Sequence, residues 1–379
     1  VSTRWPTKTV IGLTGNIAMG KSVVRRMLEH LGAFGIDADG LAHRAMSPGA
    51  PAYEPVVDLF GRFVLTREGR INRARLGRIV FNDPEALAEL EKIVHPIVGG
   101  VIGLLVRRAT QKVVVLEAIK LFESGLAKDC DTVWVVDATP EVQVKRLMQD
   151  RSLSEAEARL RVAAQPPQAD KLARARTIIS NSAGYESTFA QVEKHFRALV
   201  GPAVPTAAEP APVPVPAGEV AVRRAGPAQA QAIADMINTV TGKKLTRSDV
   251  LVSFGKNAYM LAYIDNRLVS VAGWQIENLV TRITEFLLLP DVEPKPVVSG
   301  LVKAIEQASN DLQSEIALIF LAKGTSETVE KALLAMDYAR TDPADFRVPD
   351  WREAAEESAP ANTYLLAKKL REDRVLRPI

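Results

Sequence analysis
The eight residues Gly15-Asn16-Ile17-Ala18-Met19-Gly20-Lys21-Ser22 have the spacing G-x-x-x-x-G-K-S. Glycines at both ends of such a loop let the backbone turn tightly, so that successive N–H groups converge on a phosphate. Lys21 can reach the β- and γ-phosphates of a nucleotide, and the Ser22 hydroxyl can ligate Mg²⁺. Gly15, Ala18, Met19, Gly20 and Val23 belong to the same cradle, and the positive end of the helix that follows adds to its attraction for anions. This pattern predicts a bound nucleoside triphosphate. A second pair, Asp37 and Asp39, closes the run Gly35-Ile36-Asp37-Ala38-Asp39. Two carboxylates at that spacing can face a transferred phosphoryl group and its metal, one of them accepting the proton of an attacking hydroxyl. The same pair would serve as caps for a helix starting near Gly40.

Both sets need a scaffold that brings them to one edge. Apolar runs at 10–13, 35–37, 113–116 and 132–136, with a shorter one at 177–180, read as strands. Helical spacing falls between them at 21–31, 73–81, 84–109, 140–150 and 154–164. Short strands apolar on both faces and separated by helices predict an α/β fold, a parallel sheet with helices on both sides. Ligands of such sheets sit beyond the carboxyl ends of the strands, where the first run delivers the phosphate loop and the second delivers Asp37 and Asp39.

At 379 residues the chain is long for one core. Six prolines among residues 202–217 mark 201–217 as an extended spacer, so the expected domains are 1–200 and 218–379. Few contacts are expected between two cores so separated, and a chain ending near Gly201 should keep its activity. The net charge of +3 is unevenly divided: residues 1–200 hold 28 Lys+Arg against 22 Asp+Glu, the remainder 20 against 23. A mildly basic first half suits polyanionic small molecules and lacks the dense basic stripe of a nucleic-acid binder. Cys130 is the one cysteine, which excludes an intrachain disulfide and a cysteine-rich metal site. No apolar run has the length of a membrane span, and residues 1–8 lack the apolar core of a signal peptide, so a cytoplasmic location is expected. Oligomeric state is left open.

Several blocks, in order, resemble the dephospho-coenzyme A kinases over residues 8–197. They are Ile11-Gly12-Leu13-Thr14-Gly15, Ile36-Asp37-Ala38-Asp39, Pro48-Gly49-Ala50-Pro51-Ala52-Tyr53 and His95-Pro96. After these come Leu121-Phe122-Glu123-Ser124-Gly125-Leu126, Val142-Gln143-Val144-Lys145-Arg146-Leu147, Arg161-Val162-Ala163-Ala164-Gln165 and Ser180-Asn181-Ser182. The resemblance implies a P-loop kinase that uses ATP and Mg²⁺ to phosphorylate the ribose 3′-hydroxyl of dephospho-CoA. It implies Asp39 as the base, Arg146 as a cation on the transferring phosphoryl group, and Arg151 and Arg161 in or beside a lid over ATP. It implies Asp37 beside Ser22 at the metal, and His95, Glu117 and Arg161 on the acceptor side. The arginines can also be read as members of surface i,i+4 pairs, and His95 as a packed or capping residue.

The chain departs from the family where Leu-Asp-x-Pro-Leu-Leu is common. Here Leu116-Glu117-Ala118-Ile119-Lys120-Leu121 lengthens the carboxylate, removes a proline and inserts a lysine, which either assists at the phosphate or points outward to pair with Glu123. Asn16 and Ala18 stand where glycine is usual. Two other readings remain: a small-molecule kinase of different specificity, and a nucleotide-sensing adaptor without catalysis.

Beyond the spacer, strands are expected at 220–225, 258–264, 268–274, 282–288, 316–321 and 363–366, and helices at 227–240, 297–312 and 326–336. Asp265-Asn266 has hairpin-turn chemistry. This order resembles the GNAT-type N-acetyltransferases. That family's pyrophosphate-binding turn is replaced by a stretch containing Asp291, Glu293, Pro294 and Pro296, which repel phosphate or lack donors. A docking or regulatory role is therefore expected for this domain in place of acyl transfer.

Overall fold
The computed structural model describes residues 4–201 and 218–372, apart from Ser152 and the side chains of Asp150 and Arg151. The expected spacer at 201–217 thus lies, Gly201 excepted, outside the described residues. The N-terminal body runs β1 (Thr9–Thr14), α1 (Lys21–His30), β2 (Phe34–Asp37), α2 (Ala38–Ala45), α3 (Tyr53–Phe60), α4 (Arg73–Val80), α5 (Pro84–Arg108) and β3 (Val113–Glu117). It continues with β4 (Thr132–Asp137), α6 (Pro140–Arg151), α7 (Glu155–Ala163), α8 (Gln168–Leu172), β5 (Thr177–Ser180) and α9 (Tyr185–Val200). Its five strands are all parallel in the order β2-β3-β1-β4-β5.

Alternation along the strands divides the apolar side chains between two layers. Val114 and Leu116 face a layer with Phe34, Ile36, Ile102 and Leu105, under α2 and α5. Val113 and Val115 face the opposite layer with Ile11, Leu13, Met27, Leu28 and Phe196, under α1 and α9. Local chemistry sets the helix starts: Asp83 accepts the N–H groups of Glu85 and Ala86 ahead of Pro84, and Ser154 forms a reciprocal cap with Glu157. Helices α3 and α8, of eight and five residues, are too short for a helical period to show.

The C-terminal body comprises β6 (Val220–Arg224), α10 (Ala230–Thr241), α11 (Arg247–Ser253), β7 (Ala258–Ile264), β8 (Arg267–Glu277) and β9 (Val280–Leu288). After them come α12 (Pro294–Asp311), β10 (Ile316–Ala322), α13 (Glu327–Leu334), β11 (Ala339–Arg340), α14 (Pro349–Ser358) and β12 (Thr363–Lys369). Its sheet, ordered β11-β12-β10-β9-β8-β7-β6, is antiparallel except at β9–β10. Asp265 and Asn266, both at positive φ (48° and 62°), make the β7–β8 turn, as their chemistry predicts. The helix expected at 227–240 begins instead with a single 3₁₀ turn before α10.

The expectation of few contacts between the bodies does not hold. Arg44 of α2, only 2% exposed, donates to Glu315 (3.4 Å), Asp350 (3.2 Å) and the Asn278 carbonyl. His30 of α1 meets the Phe254 carbonyl at 3.2 Å, Arg247 pairs with Glu186 at 2.7 Å, and Leu279 joins the apolar layer under α2. A proline-rich composition does not decide whether the flanking bodies dock; side chains scattered elsewhere do.

Candidate active site
The carboxyl end of the parallel sheet gathers the chemistry. After β1 the loop 15–22 wraps into α1, with Gly20 in the left-handed region (φ 90°). A Cβ there would lie 2.0 Å from Asn181 Nδ2, so glycine is required by conformation and by space. The loop is held from outside. Asn181 donates to the Met19 carbonyl (2.9 Å), and Arg146 donates to the carbonyls of Ala18 (3.1 Å), Met19 (3.1 Å) and Asn181 (2.8 Å). These bonds occupy carbonyls and leave the N–H groups of the loop, those of Asn16 and Met19 excepted, to point inward. Lys21 is buried, its ammonium 3.2 Å from the Asn16 carbonyl across the loop. Ala18 takes the left-handed conformation (φ 57°) that a glycine would adopt without cost. Val23 turns its side chain toward Gly255 of the second body, which leaves its backbone N–H for the cradle.

Asp37 and Glu117 are register partners on β2 and β3. Asp37 caps α2 by accepting the Gly40 N–H at 2.9 Å. Burial and the neighbouring Glu117 push its carboxyl up to about 6. Glu117, expected on the acceptor side, has both oxygens engaged elsewhere: one accepts from Ser22 (2.8 Å), the other from Arg25 (2.7 Å). That places it beside Ser22 and Asp37. Two adjacent carboxylates and a hydroxyl form a hard-oxygen donor set, and their mutual repulsion is what a divalent cation would relieve. Among the described residues no group of three or more His, Cys, Asp or Glu side chains is placed to hold a metal ion.

Asp39 is not a cap. The residue is exposed at the site; its carboxylate accepts the Ile119 N–H at 2.9 Å, and desolvation by the surrounding chain raises its pKa while that bond, Lys21 and Lys171 oppose the rise. The Ile119 carbonyl accepts from Thr14 (3.1 Å) and Lys171 (2.7 Å). The backbone of one residue, Ile119, thus ties β1, α8 and the first turn of α2 together. Lys171 is almost fully buried, and burial lowers its pKa. Sequence reasoning missed this residue, because one lysine in the five-residue α8 carries no pattern of its own. It also missed Gln168, which accepts from the Asn16 N–H (3.1 Å) and donates to the Val136 carbonyl (3.0 Å).

The remaining residues lie farther out. His95 is exposed on α5 and Arg161 exposed on α7, and no hydrogen bond joins either to the loop among the described residues. The side chain of Arg151 lies outside the described residues. Lys120 is turned outward and pairs with Glu91 (3.4 Å), not Glu123. Arg174 stacks on Phe122, its guanidinium carbon 3.8 Å from the ring centre.

Residues 9–187 match the family model described as dephospho-CoA kinase. The dephospho-CoA kinase of Carboxydothermus hydrogenoformans is 43% identical over 186 residues, which span 48% of this chain and 90% of that protein. A solved dephospho-CoA kinase from Campylobacter jejuni is 31% identical, over 51% of this chain and 97% of its own, with a TM-score of 0.38. A GNAT-family acetyltransferase structure from Streptococcus pneumoniae is 8% identical, over 40% of this chain and 99% of its own, with a TM-score of 0.31. With a relative at that identity covered over nine-tenths of its length, the chain belongs to the dephospho-CoA kinase family.

Proposed function
We propose that the N-terminal body transfers the γ-phosphate of ATP to the ribose 3′-hydroxyl of dephospho-CoA, giving CoA and ADP. The single observation that carries the reading is Asp39, an exposed carboxylate fixed by the Ile119 N–H and facing Lys21 and Lys171, at the same end of the sheet as the phosphate loop with β3 between them. Asp39 takes the proton of the attacking hydroxyl and orients that oxygen in line with the γ-phosphate. Lys21, released from the Asn16 carbonyl, binds the phosphate oxygens. Arg146 keeps the loop in its anion-binding shape and adds charge at the same end. Ser22, with Asp37 and Glu117 behind it, would hold Mg²⁺, which neutralises charge on the phosphates when bound. Lys171 fits as a second cation for the acceptor or the transferring group. His95 and Arg161 would reach ligand only on closure of the helices that carry them.

The second body has the strand and helix order of an acetyltransferase-like fold, with α12 joining the one parallel pair. Asp291 is tied to Arg267 (2.8 Å) just before α12, whose first turn holds Pro294 and Pro296. There Arg267 answers the Asp291 charge, so what a phosphate would meet is the Glu293 carboxylate at the helix start and the donors missing at Pro294 and Pro296, which favours a docking role over acyl transfer.

The test is purified protein with ATP and Mg²⁺, offered dephospho-CoA, nucleosides or shikimate and followed by chromatography. CoA and ADP should appear in equal amounts. Turnover of another acceptor in preference, or none at all, would replace this reading with a different kinase or a nucleotide-binding adaptor.

A further inference from the structure
The outer face of α2, the helix with Asp39 in its first turn, is held by the second body. At its start Gly40 faces the tip of the β8–β9 hairpin, and a Cβ there would lie 2.6 Å from Asn278 Oδ1. That tip is shaped by its own chain, with Asn278 and Leu279 both at positive φ (51° and 61°), as a two-residue turn demands. At the other end of α2, the partners of Arg44 among the described residues are Asn278, Glu315 and Asp350, all of the second body. Ser47, just past the helix, donates to Asp350 at 2.8 Å, and the Trp351 indole N–H to Glu315 at 3.2 Å. Leu279 packs between these points, in a layer with Ile36, Leu41 and Leu105.

A helix of two turns has little stability of its own, and a guanidinium is buried only where its charge is answered. We propose that the second body is a positioning element of the kinase site: through the Asn278 tip and the Arg44–Glu315–Asp350 cluster it fixes α2, and with it the carboxylate of Asp39. The inference rests on the reading of Asp39 as the base. It gives the docking domain a definite partner, the catalytic helix of its own chain. Arg44 is then a positioning residue, acting through α2 without touching substrate.

Two substitutions in the second body of the full chain test this. Asp350→Asn weakens the bonds to Arg44 and Ser47; Asn278→Gly removes the side chain at Gly40 and suits the positive φ. Each should lower kcat for dephospho-CoA phosphorylation roughly tenfold, since small misplacements of reacting groups are costly. KM for ATP should stay within about twofold, because the phosphate loop is held by Arg146 and Asn181. Hydrogen exchange at the α2 amides should quicken in the same proteins. If exchange quickens while kcat stays within about twofold, or if exchange does not change, the inference is overturned. Should Asp350→Asn fail to fold, Ser47→Ala probes the same cluster more gently. Asp39→Asn is measured alongside. Full activity in that variant would sink the base assignment; its inactivity together with unaffected seam variants would sink only the positioning role.

Discussion
At the scale of single residues, Asp39 owes its placement to a peptide N–H that a proline could not supply. The family commonly has proline where this chain has Ile119, and here the Ile119 N–H holds the carboxylate at 2.9 Å. Ile119→Pro should therefore free Asp39 and reduce kcat several-fold, with the Thr14 and Lys171 bonds to the same carbonyl able to persist. Steady-state kinetics would show it, and an unchanged kcat would mean the bond is incidental. Asp39→Asn should cost on the order of 10²-fold or more in kcat with ATP binding intact, because an amide cannot take the hydroxyl proton. Asp37→Asn should be milder, since an amide oxygen can still cap α2; the reverse order would exchange their roles. Lys21→Ala should abolish transfer in a folded protein, a loss on the order of 10²-fold or more. Lys21, Ser22 and the aspartates stand out as candidates in the sequence because their spacing is local. Lys171 and Gln168 do not, because they become part of the site only when α8 folds over the loop.

Elements were legible in proportion to their length and periodicity. All five parallel strands were visible as apolar runs; β1, β3 and β4 carry buried side chains on both faces, whereas the edge strand β5 leaves Ile178 exposed. So was α5, bounded by Asp83-Pro84, even with Pro96 inside it. The strand-to-helix junction at the loop depends on one backbone conformation. Gly20→Ala would force a Cβ onto Asn181 and load a left-handed position, displacing the side chain that holds the Met19 carbonyl. Nucleotide affinity should fall by about tenfold or more, since the N–H cradle loses its shape. Calorimetric titration with a non-hydrolysable ATP analogue measures it directly. An affinity equal to the parent's would show that the loop tolerates the shift. Ala18, already left-handed, makes the opposite case, and Ala18→Gly should leave binding unchanged.

For the whole molecule, the seam was the least legible feature, because Arg44 and His30 look like ordinary members of amphipathic helices until a second body covers them. His30 gives that seam a pH dependence. Its Nε2 lies 3.2 Å from the Phe254 carbonyl, the ring stands edge-on to Phe254, and Nδ1 is buried without a partner. A protonated ring would leave a bare donor there beside Arg224, and burial first, then that arginine, lowers the pKa from 6.5 to about 3. The unfolded chain therefore binds a proton below pH 6.5 that the native protein refuses until pH 3. Stability from this residue is complete above pH 6.5 and declines through that window, by about 1.4 kcal/mol per pH unit. His43, lowered to about 4, acts in the same direction, whereas Asp37, raised to about 6, gains stability on acidification. Comparison with His30→Gln isolates the histidine, since glutamine keeps a donor for the Phe254 carbonyl but does not titrate. Between pH 7 and pH 5 the parent should lose about 2 kcal/mol of unfolding free energy more than the variant does, measured by urea titration at each pH. Parallel pH profiles for the two proteins would mean that His30 is open to water, and that the bodies do not close over it in solution.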